Sequence, residues 1–234
     1  MIERAIVLAA GFGKRVLPLT NITPKPLLKI NNVSLLTNTL NFLKKFGVKH
    51  FAINTHHLGE QIENFAESNK GIYDIKIFKE KEILGTGGGI RNALPFFLDK
   101  PFISINSDTI WSDEYLSSLK NLYKSFTKFN ANSGLLMIKR ENSFDKNLKG
   151  DFTIKSEPFL FRQAGDSNNL IFTGCQIINP ILLKDKKNEN FSIQPVWDEA
   201  IADKKMVGEV AQNIFYHVTD LIIYEKLKKL DLIR

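Results

Sequence analysis

Glycines and cations lie together at residues 11–15 (Gly-Phe-Gly-Lys-Arg), directly after an apolar run at residues 2–8. Glycine lets backbone N–H groups approach an anion without a Cβ in the way. A loop that leaves a parallel strand presents those groups together. Lys14, Arg15 and Lys25 can add charge-assisted hydrogen bonds to phosphate oxygens. The simplest ligand for such a loop is a triphosphate.

A glycine turn with solvated cations is the alternative interpretation of this stretch. The glycines alone favour that alternative. Lys25 shifts the balance toward an anion site, because Pro24 and Pro26 restrict the backbone on both sides of it.

A carboxylate follows the predicted strand at residues 101–105, in the sequence Asn106-Ser107-Asp108. Mg²⁺ prefers hard oxygen ligands, and a carboxylate that faces a triphosphate supplies one. The alternative is that Asp108 caps the next helix, but Ser112 is better placed to do so. The sequence therefore predicts that Asp108 binds a metal ion.

Four glycines occupy the five positions 85–89, and Ile90, Ala93, Leu94 and Phe97 continue from them at helical spacing. A flexible linker is one interpretation of such a cluster. The spacing instead predicts that the cluster opens a helix. Glycines at that point let a flat group approach the backbone, and a nucleobase is the natural candidate.

Strand and helix patterns alternate in the first third of the chain. They predict strand 2–8, helix 35–46 between Ser34 and Gly47, strand 51–54, helix 59–68 and strand 73–78. This order, with its short connections, predicts an α/β fold with a parallel sheet and helices on both faces. The ligand then belongs outside the carboxyl ends of the strands, where the first glycine loop lies.

Composition narrows the class of protein. The 234 residues carry a formal net charge of +7, but the lysines are scattered and form no dense basic tract, so nucleic acid is not expected as a partner. The single Cys175 fits a reducing compartment. No signal peptide and no membrane span are expected, which predicts a cytoplasmic protein. A monomer or a small homo-oligomer is expected.

Residues 8–30, LAAGFGKRVLPLTNITPKPLLKI, resemble the N-terminal signature of sugar-1-phosphate nucleotidylyltransferases, roughly LAAGxGxRLxPLTxxxPKPLxxI. The resemblance implies an α/β, Rossmann-like fold of the nucleotide-diphospho-sugar transferase type, with a mixed, mostly parallel sheet and helices on both faces. It also implies one domain over residues 1–234, with an NTP-binding half at 1–110 and a sugar-phosphate-binding half at 111–234.

The resemblance further implies that Arg15, Lys25 and Asp108 are catalytic and that Asp108 and Asp220 bind Mg²⁺. Asp220 lies in a closing segment similar to the family's WxDVGTxExL ending, although Leu-Ile-Ile at 221–223 replaces Val-Gly-Thr. An ordinary helix N-cap is the alternative for Asp220.

Two further groups of binding residues follow from the same resemblance. The nucleotide-binding residues are Leu8, Ala9, Ala10, Gly11, Phe12, Gly13, Lys14, Glu80, Gly85, Thr86 and Gly88. The sugar-phosphate-binding residues are Asn106, Gly150, Asp151, Thr173 and Gly174. From local pattern alone, the sequence at 150–152 is typical of a β-turn.

The implied reaction joins an NTP and a sugar 1-phosphate to give an NDP-sugar and pyrophosphate. The run TGGGI at 86–90 is similar to the N-acetylmuramate 1-phosphate uridylyltransferase branch, which favours UTP and a role in peptidoglycan recycling. The alternatives are a mannose-1-phosphate guanylyltransferase or another member of the family, and a regulator that binds nucleotide sugars without turnover.

Overall fold

One mixed nine-stranded sheet organises the chain in the computed structural model, which describes residues 1–163, 167–187 and 189–233. The strands, including a separate β2–β3 hairpin, are β1 (Arg4–Leu8), β2 (Lys29–Ile30), β3 (Val33–Ser34), β4 (His50–Thr55), β5 (Asp74–Lys79), β6 (Phe102–Asn106), β7 (Ser133–Lys139), β8 (Thr153–Ser156), β9 (Phe159–Phe161), β10 (Leu170–Ile178) and β11 (Met206–Ala211). The α-helices are α1 (Leu35–Phe46), α2 (Gly59–Ser68), α3 (Gly85–Asn92), α4 (Tyr115–Lys128), α5 (Ile181–Lys184), α6 (Gln194–Ala202) and α7 (Leu221–Leu227). Short 3₁₀ turns lie at Lys14–Val16, Leu19–Asn21, Lys25–Leu27, Leu94–Phe97 and Arg140–Asn142.

The strand order is β5-β4-β1-β6-β10-β7-β11-β9-β8. Strands β5, β4, β1 and β6 are parallel, β10 runs antiparallel to both β6 and β7, and β11 is parallel to β7. This confirms the predicted mixed sheet. The chain leaves β1 on one side toward β4 and later returns on the other side as β6, so the loops that follow β1 and β6 meet. Leu8 at the end of β1 is paired with Asn106 at the end of β6.

The helices follow the apolar spacing of the sequence. Helix α1 begins after Ser34, whose hydroxyl accepts a hydrogen bond from the backbone N–H of Thr37 at 3.0 Å, and it ends at Gly47 with φ of 119°. Both α1 and α2 have the predicted bounds. Within the described ranges, no helix has both the length and the apolar character that a membrane crossing requires.

Apolar side chains fill both faces of the sheet. On one face, Leu40 of α1 and Leu122 of α4 belong to the same buried cluster. On the other face, the rings of Phe97 and Phe102 stack with their centroids 3.6 Å apart. A third cluster lies between the 3₁₀ turns after β1 and helix α7, and it contains Val16, Ile30, Leu35, Tyr224 and Leu227 among its buried members. Residues 16–35 and helix α7 are therefore packed together behind the loop that follows β1.

Strand β10 contains two of the predicted sugar-phosphate-binding residues, Thr173 and Gly174. The register between β10 and β7 shifts between Phe172 and Gln176. The segment is therefore a β-bulge, which a glycine with positive φ permits at Gly174.

We expect Leu40→Ala to lower the free energy of unfolding by about 2–5 kcal/mol, because the side chain is fully buried and its removal leaves a cavity. The matched control is Ile222→Ala on α7, where the side chain is 67% exposed and the change should stay within about 0.5 kcal/mol. Urea unfolding followed by circular dichroism measures both. Equal effects of the two variants would contradict the assigned core.

Candidate active site

The loop after β1 is held open toward solvent by its own backbone geometry. Gly13 adopts φ of 63°, and a Cβ built there would lie 2.8 Å from the Thr20 side chain. The buried Thr20 hydroxyl donates a hydrogen bond to the Gly13 carbonyl at 3.0 Å. No atom outside the neighbouring residues lies within 4 Å of the Cβ position of Gly11. The glycine at 13 therefore permits the loop conformation, whereas the one at 11 leaves open space above the loop.

Two of the predicted phosphate-binding cations are exposed at this loop. Arg15 makes no hydrogen bond or ion pair with any residue in the described part of the chain. The ammonium group of Lys14 lies 5.3 Å from the centre of the exposed Phe12 ring. Both cations are therefore available to a ligand that enters from solvent.

Lys25 and Asp108 form an ion pair in the floor of the site. Lys25 Nζ lies 2.6 Å from Asp108 Oδ2, and the two side chains are 12% and 19% exposed. Lys25 begins a 3₁₀ turn that Pro24 enters in an extended conformation. Asp108 follows the end of β6, where the hydroxyl of Ser107 donates to the Leu8 carbonyl at 3.0 Å. The paired strands thus bring together two residues that are 83 positions apart.

The Asp108 carboxylate remains ionised although it is buried. Burial by itself raises its pKa, but the Lys25 ammonium and the His217 ring more than compensate and hold the pKa well below the ordinary range. Both groups approach Oδ2. Asp108 Oδ1 is also buried and has no hydrogen-bond partner among the described residues. A buried, ionised and unpartnered oxygen fits the binding of a hard divalent cation.

His217 is a site residue that the sequence did not reveal. Its Nε2 lies 3.2 Å from Asp108 Oδ2, and the backbone of its segment pairs with that of Asp108 and Thr109. The sequence singled out Asp220 instead. In the structure, Asp220 Oδ1 accepts a hydrogen bond from the Ile223 N–H at 2.8 Å and caps α7, which was the alternative. A metal-binding role for Asp220 remains a prediction.

Two cavities adjoin the loop after β1. Leu8 and Gly11 line both of them. The smaller cavity, about 100 Å³, is lined by Leu8, Ala9, Gly11, Lys25, Pro26, Asn106, Ser107 and Asp108. The larger, about 210 Å³, is lined by Leu8, Ala10, Gly11, Asn54, Glu80, Ile83, Gly85 and Thr86. A third cavity of about 300 Å³ beside Trp111 contains none of the predicted site residues.

Glu80 forms part of the wall of the 210 Å³ cavity and also connects its two loops. Its Oε1 accepts a hydrogen bond from Asn54 Nδ2 at 2.7 Å, and its Oε2 accepts one from the Leu84 N–H at 2.9 Å. Asn54 Oδ1 in turn accepts the N–H of Ala9 at 2.8 Å. Neither Asn54 nor Ile83 was predicted as a site residue. The predicted contact of Glu80 with a nucleobase remains a prediction.

The glycines at 85–89 differ in their surroundings: one lines a cavity, and others pack against the segment before α6. Gly85, with φ of 69°, lines the 210 Å³ cavity together with Thr86. Gly88 is buried against the carbonyl group of Glu189, and a Cβ at Gly87 would overlap the ring of Phe191. The backbone N–H groups of Gly87 and Gly88 donate to the Phe191 carbonyl. Gly88 therefore admits the segment before α6, and its predicted contact with a nucleotide has no support in this geometry.

The predicted sugar-phosphate-binding residues divide into two groups. Gly174, with φ of 89°, lies against Asn106, so that a Cβ there would be 2.9 Å from Asn106 Cβ. The Thr173 hydroxyl donates a hydrogen bond to the Leu136 carbonyl at 2.8 Å. The backbone carbonyl of Thr173 accepts a hydrogen bond from the hydroxyl of Thr109. The Thr173 side chain is therefore used within the protein, whereas Asn106 lines the 100 Å³ cavity.

Gly150 and Asp151 are anchored to the first half of β10 and do not line these cavities. Gly150 packs against the Asn168 carbonyl, and Asp151 Oδ2 accepts the Phe172 N–H at 2.9 Å. Burial raises the pKa of Asp151. The hydrogen bond from the Phe172 N–H and the charge of Arg162 lower that pKa, but they only partly offset the effect of burial. The β-turn interpretation is wrong at this point, because the Asp151 N–H donates to the Leu170 carbonyl across to β10.

Known proteins share sequence and fold with this chain. Residues 4–144 match the model of the family described as "Nucleotidyl transferase". The N-acetylmuramate alpha-1-phosphate uridylyltransferase of Caulobacter vibrioides is 27% identical over 221 residues, covering 92% of this chain and 91% of that protein. The D-glycero-alpha-D-manno-heptose 1-phosphate guanylyltransferase of Campylobacter jejuni is 33% identical, covering 78% and 81% respectively. A structure of UDP-glucose pyrophosphorylase complexed with UDP-glucose superposes with a TM-score of 0.77 at 20% identity, covering 98% of each chain.

We expect Asn54→Ala to lower the free energy of unfolding by about 1–3 kcal/mol, because the Ala9 N–H and Glu80 Oε1 would each lose a buried partner. The control is Asn121→Ala, whose amide bonds Glu209 at the surface and should matter by at most about 0.5 kcal/mol. Urea unfolding compares the two. A variant at 54 as stable as the control would show that this hydrogen-bond chain does not hold the two loops.

Proposed function

The chain belongs to the nucleotidyl transferase family, and we propose that it joins UTP to N-acetylmuramate 1-phosphate, forming a UDP-sugar and releasing pyrophosphate. The coarser activity, that of a sugar-1-phosphate nucleotidyltransferase, agrees with the names of both curated relatives reported above. The observation that carries the proposal is the buried pair of Lys25 and Asp108 beside the glycine loop.

Electrostatic repulsion is the main obstacle to the proposed reaction. An NTP and a sugar 1-phosphate are both polyanions, and the phosphate oxygen of the sugar must approach the α-phosphorus of the NTP in line with the departing pyrophosphate. That oxygen is already ionised, so the reaction needs no general base. The site must instead supply positive charge and a fixed orientation.

Individual residues have distinct roles in this proposal. Arg15, exposed at the loop, binds the β- and γ-phosphates and stabilises the leaving group. Lys25 binds the α-phosphate and the incoming sugar phosphate. Backbone N–H groups of residues 10–13 face the triphosphate. Asp108 holds Mg²⁺, which when bound neutralises phosphate charge as a Lewis acid.

Lys25 and Asp108 neutralise each other while the site contains no ligand. A bound nucleotide would give Lys25 phosphate oxygens in place of the carboxylate, and Asp108 would then hold a divalent cation in place of the ammonium. The pair therefore keeps both groups charged and in place before the substrates arrive. This exchange of partners accounts for a lysine and an aspartate in one pocket.

The choice of UTP depends on the second glycine cluster and on the Caulobacter relative, whose name specifies a uridylyltransferase. The 210 Å³ cavity between Gly85 and Asn54 is where we place the nucleoside. A guanylyltransferase is the second candidate, because the Campylobacter relative is the more identical of the two over its aligned length. The remaining features of the proposal are a single catalytic domain with the sugar phosphate bound by residues of the second half, a cytoplasmic location, and a monomer or small homo-oligomer.

We expect Lys25→Ala and Asp108→Asn each to lower turnover by at least about 100-fold, because each removes a charge aimed at the reacting phosphates. Lys45→Ala is the matched control. Lys45 also pairs with an aspartate, Asp113, but on the exposed surface, so its loss should leave turnover within about twofold. A coupled pyrophosphate assay measures turnover, and thermal unfolding confirms that each variant is folded. Near-normal turnover of folded Lys25→Ala would contradict the proposed roles.

A matrix of the four NTPs against a panel of sugar 1-phosphates tests the substrates directly. We expect the fastest pyrophosphate release with UTP and N-acetylmuramate 1-phosphate. Preference for GTP with a mannose or heptose 1-phosphate would support the second candidate. Release with no pair, while an NDP-sugar still raises the melting temperature, would instead indicate a regulator that binds without turnover.

A further inference from the structure

His217 is fixed against Asp108 by contacts on three sides. Its ring is parallel to that of Phe215, with the centroids 5.5 Å apart. The backbone at Val218 donates to the Asp108 carbonyl at 2.9 Å, and His217 pairs with Thr109 in an antiparallel bridge. The His217 and Asp108 side chains are 16% and 19% exposed. These contacts therefore hold the imidazole in one position beside Asp108.

The other ring nitrogen of His217 has a partner that can fix the tautomer. Thr219 Oγ1 lies 3.4 Å from His217 Nδ1 and 3.3 Å from the His217 carbonyl. A hydroxyl that donates to the carbonyl can accept from Nδ1–H. With a cation bound between the two side chains, the proton would reside on Nδ1 and Nε2 would offer its lone pair to the cation. A metal-binding histidine almost always has such a partner on its second nitrogen.

The separation of the two side chains suits one cation. Two neighbouring ligands of an octahedral ion, each about 2.1 Å from it at a right angle, lie roughly 3.0 Å apart. The distance from His217 Nε2 to Asp108 Oδ2 is 3.2 Å. Among the residues that the structure describes, no group of three or more His, Cys, Asp or Glu side chains could hold a metal ion. Phosphate oxygens and water would complete the coordination.

We propose that His217 is a nitrogen ligand of the divalent cation that Asp108 binds. The inference rests on the proposed function, which supplies the cation and the phosphates. Imidazole suits transition metals, whereas carboxylate suits both Mg²⁺ and Mn²⁺. Imidazole in place of a carboxylate therefore weakens Mg²⁺ binding more than Mn²⁺ binding, and we expect this site to favour Mn²⁺ over Mg²⁺ more than a site of two carboxylates would.

Pulsed electron paramagnetic resonance of Mn²⁺ tests the bond itself. The probe is MnCl₂ added to the full chain with inorganic pyrophosphate, so no nucleobase has to be chosen. In protein labelled with ¹⁵N-histidine, we expect the coupling of a directly bound ¹⁵N nucleus. His217→Gln should lose that coupling, whereas His50→Gln, on the remote β4 next to Asp74, should keep it. Absence of the coupling in the native chain, or its persistence in His217→Gln, would overturn the inference.

His217→Asp provides a second readout, which also guards against misfolding of the glutamine variant. Displacement of Mn²⁺ by MgCl₂, followed by the same resonance, gives the ratio of the two affinities. We expect the aspartate variant to lower the preference for Mn²⁺ by at least about tenfold. An unchanged ratio would overturn the inference.

Pyrophosphate release by the native chain is measured separately in the presence of each metal. Nitrogen-bound Mn²⁺ without any release would support the ligand role of His217 and contradict the proposed function. Normal release without nitrogen-bound Mn²⁺ would do the opposite.

Discussion

The ion pair between Lys25 and Asp108 is the interaction on which the rest of the site depends. Removal of one partner from a fully buried pair costs about 3–5 kcal/mol, and less here because the two side chains keep 12% and 19% exposure. A largely buried charge is costly unless a group of opposite charge lies beside it. The backbone must therefore hold them at hydrogen-bond distance, although they come from different loops. In the sheet, β1 lies between β4 and β6. The segments that follow β1 and β6 carry Lys25 and Asp108, and they leave the sheet at the same edge.

The same strand arrangement explains why much of the site could be predicted. The apolar run at 2–8, the helix signals at Ser34 and Gly47, and the strand before Asn106 are local patterns, and each has the expected structure. Parallel strands present their carboxyl ends at one edge. Residues that follow two such strands therefore converge without any knowledge of side-chain contacts. Lys25 and Asp108 belong to this class, as do Leu8 and Asn106.

Residues whose positions depend on antiparallel pairing or on tertiary contacts could not be predicted in the same way. His217 reaches Asp108 because its segment pairs with residue 109, a contact between positions 108 residues apart that no local pattern encodes. Gly87 and Gly88 look identical to Gly85 in the sequence, yet they make room for residues 189–191. The bulge at Thr173 is also invisible locally, because a glycine after a threonine is equally typical of a loop. Asp220 satisfies both a capping pattern and a ligand pattern, and the structure shows that it caps the helix that follows.

An exchange of partners at the ion pair couples the binding of the two ligands in the proposed reaction. A triphosphate that takes Lys25 away leaves the buried Asp108 carboxylate short of a counter-charge, and a cation restores it. A cation that takes Asp108 leaves Lys25 free to bind phosphate. Each ligand thus removes a cost that the other would otherwise meet, so each must raise the affinity for the other by the same factor. With only a lysine or only an aspartate in this pocket, one ligand would bind without changing the affinity for the other. If the cation and the nucleotide bind as proposed, the pair would make their binding cooperative before the sugar phosphate arrives.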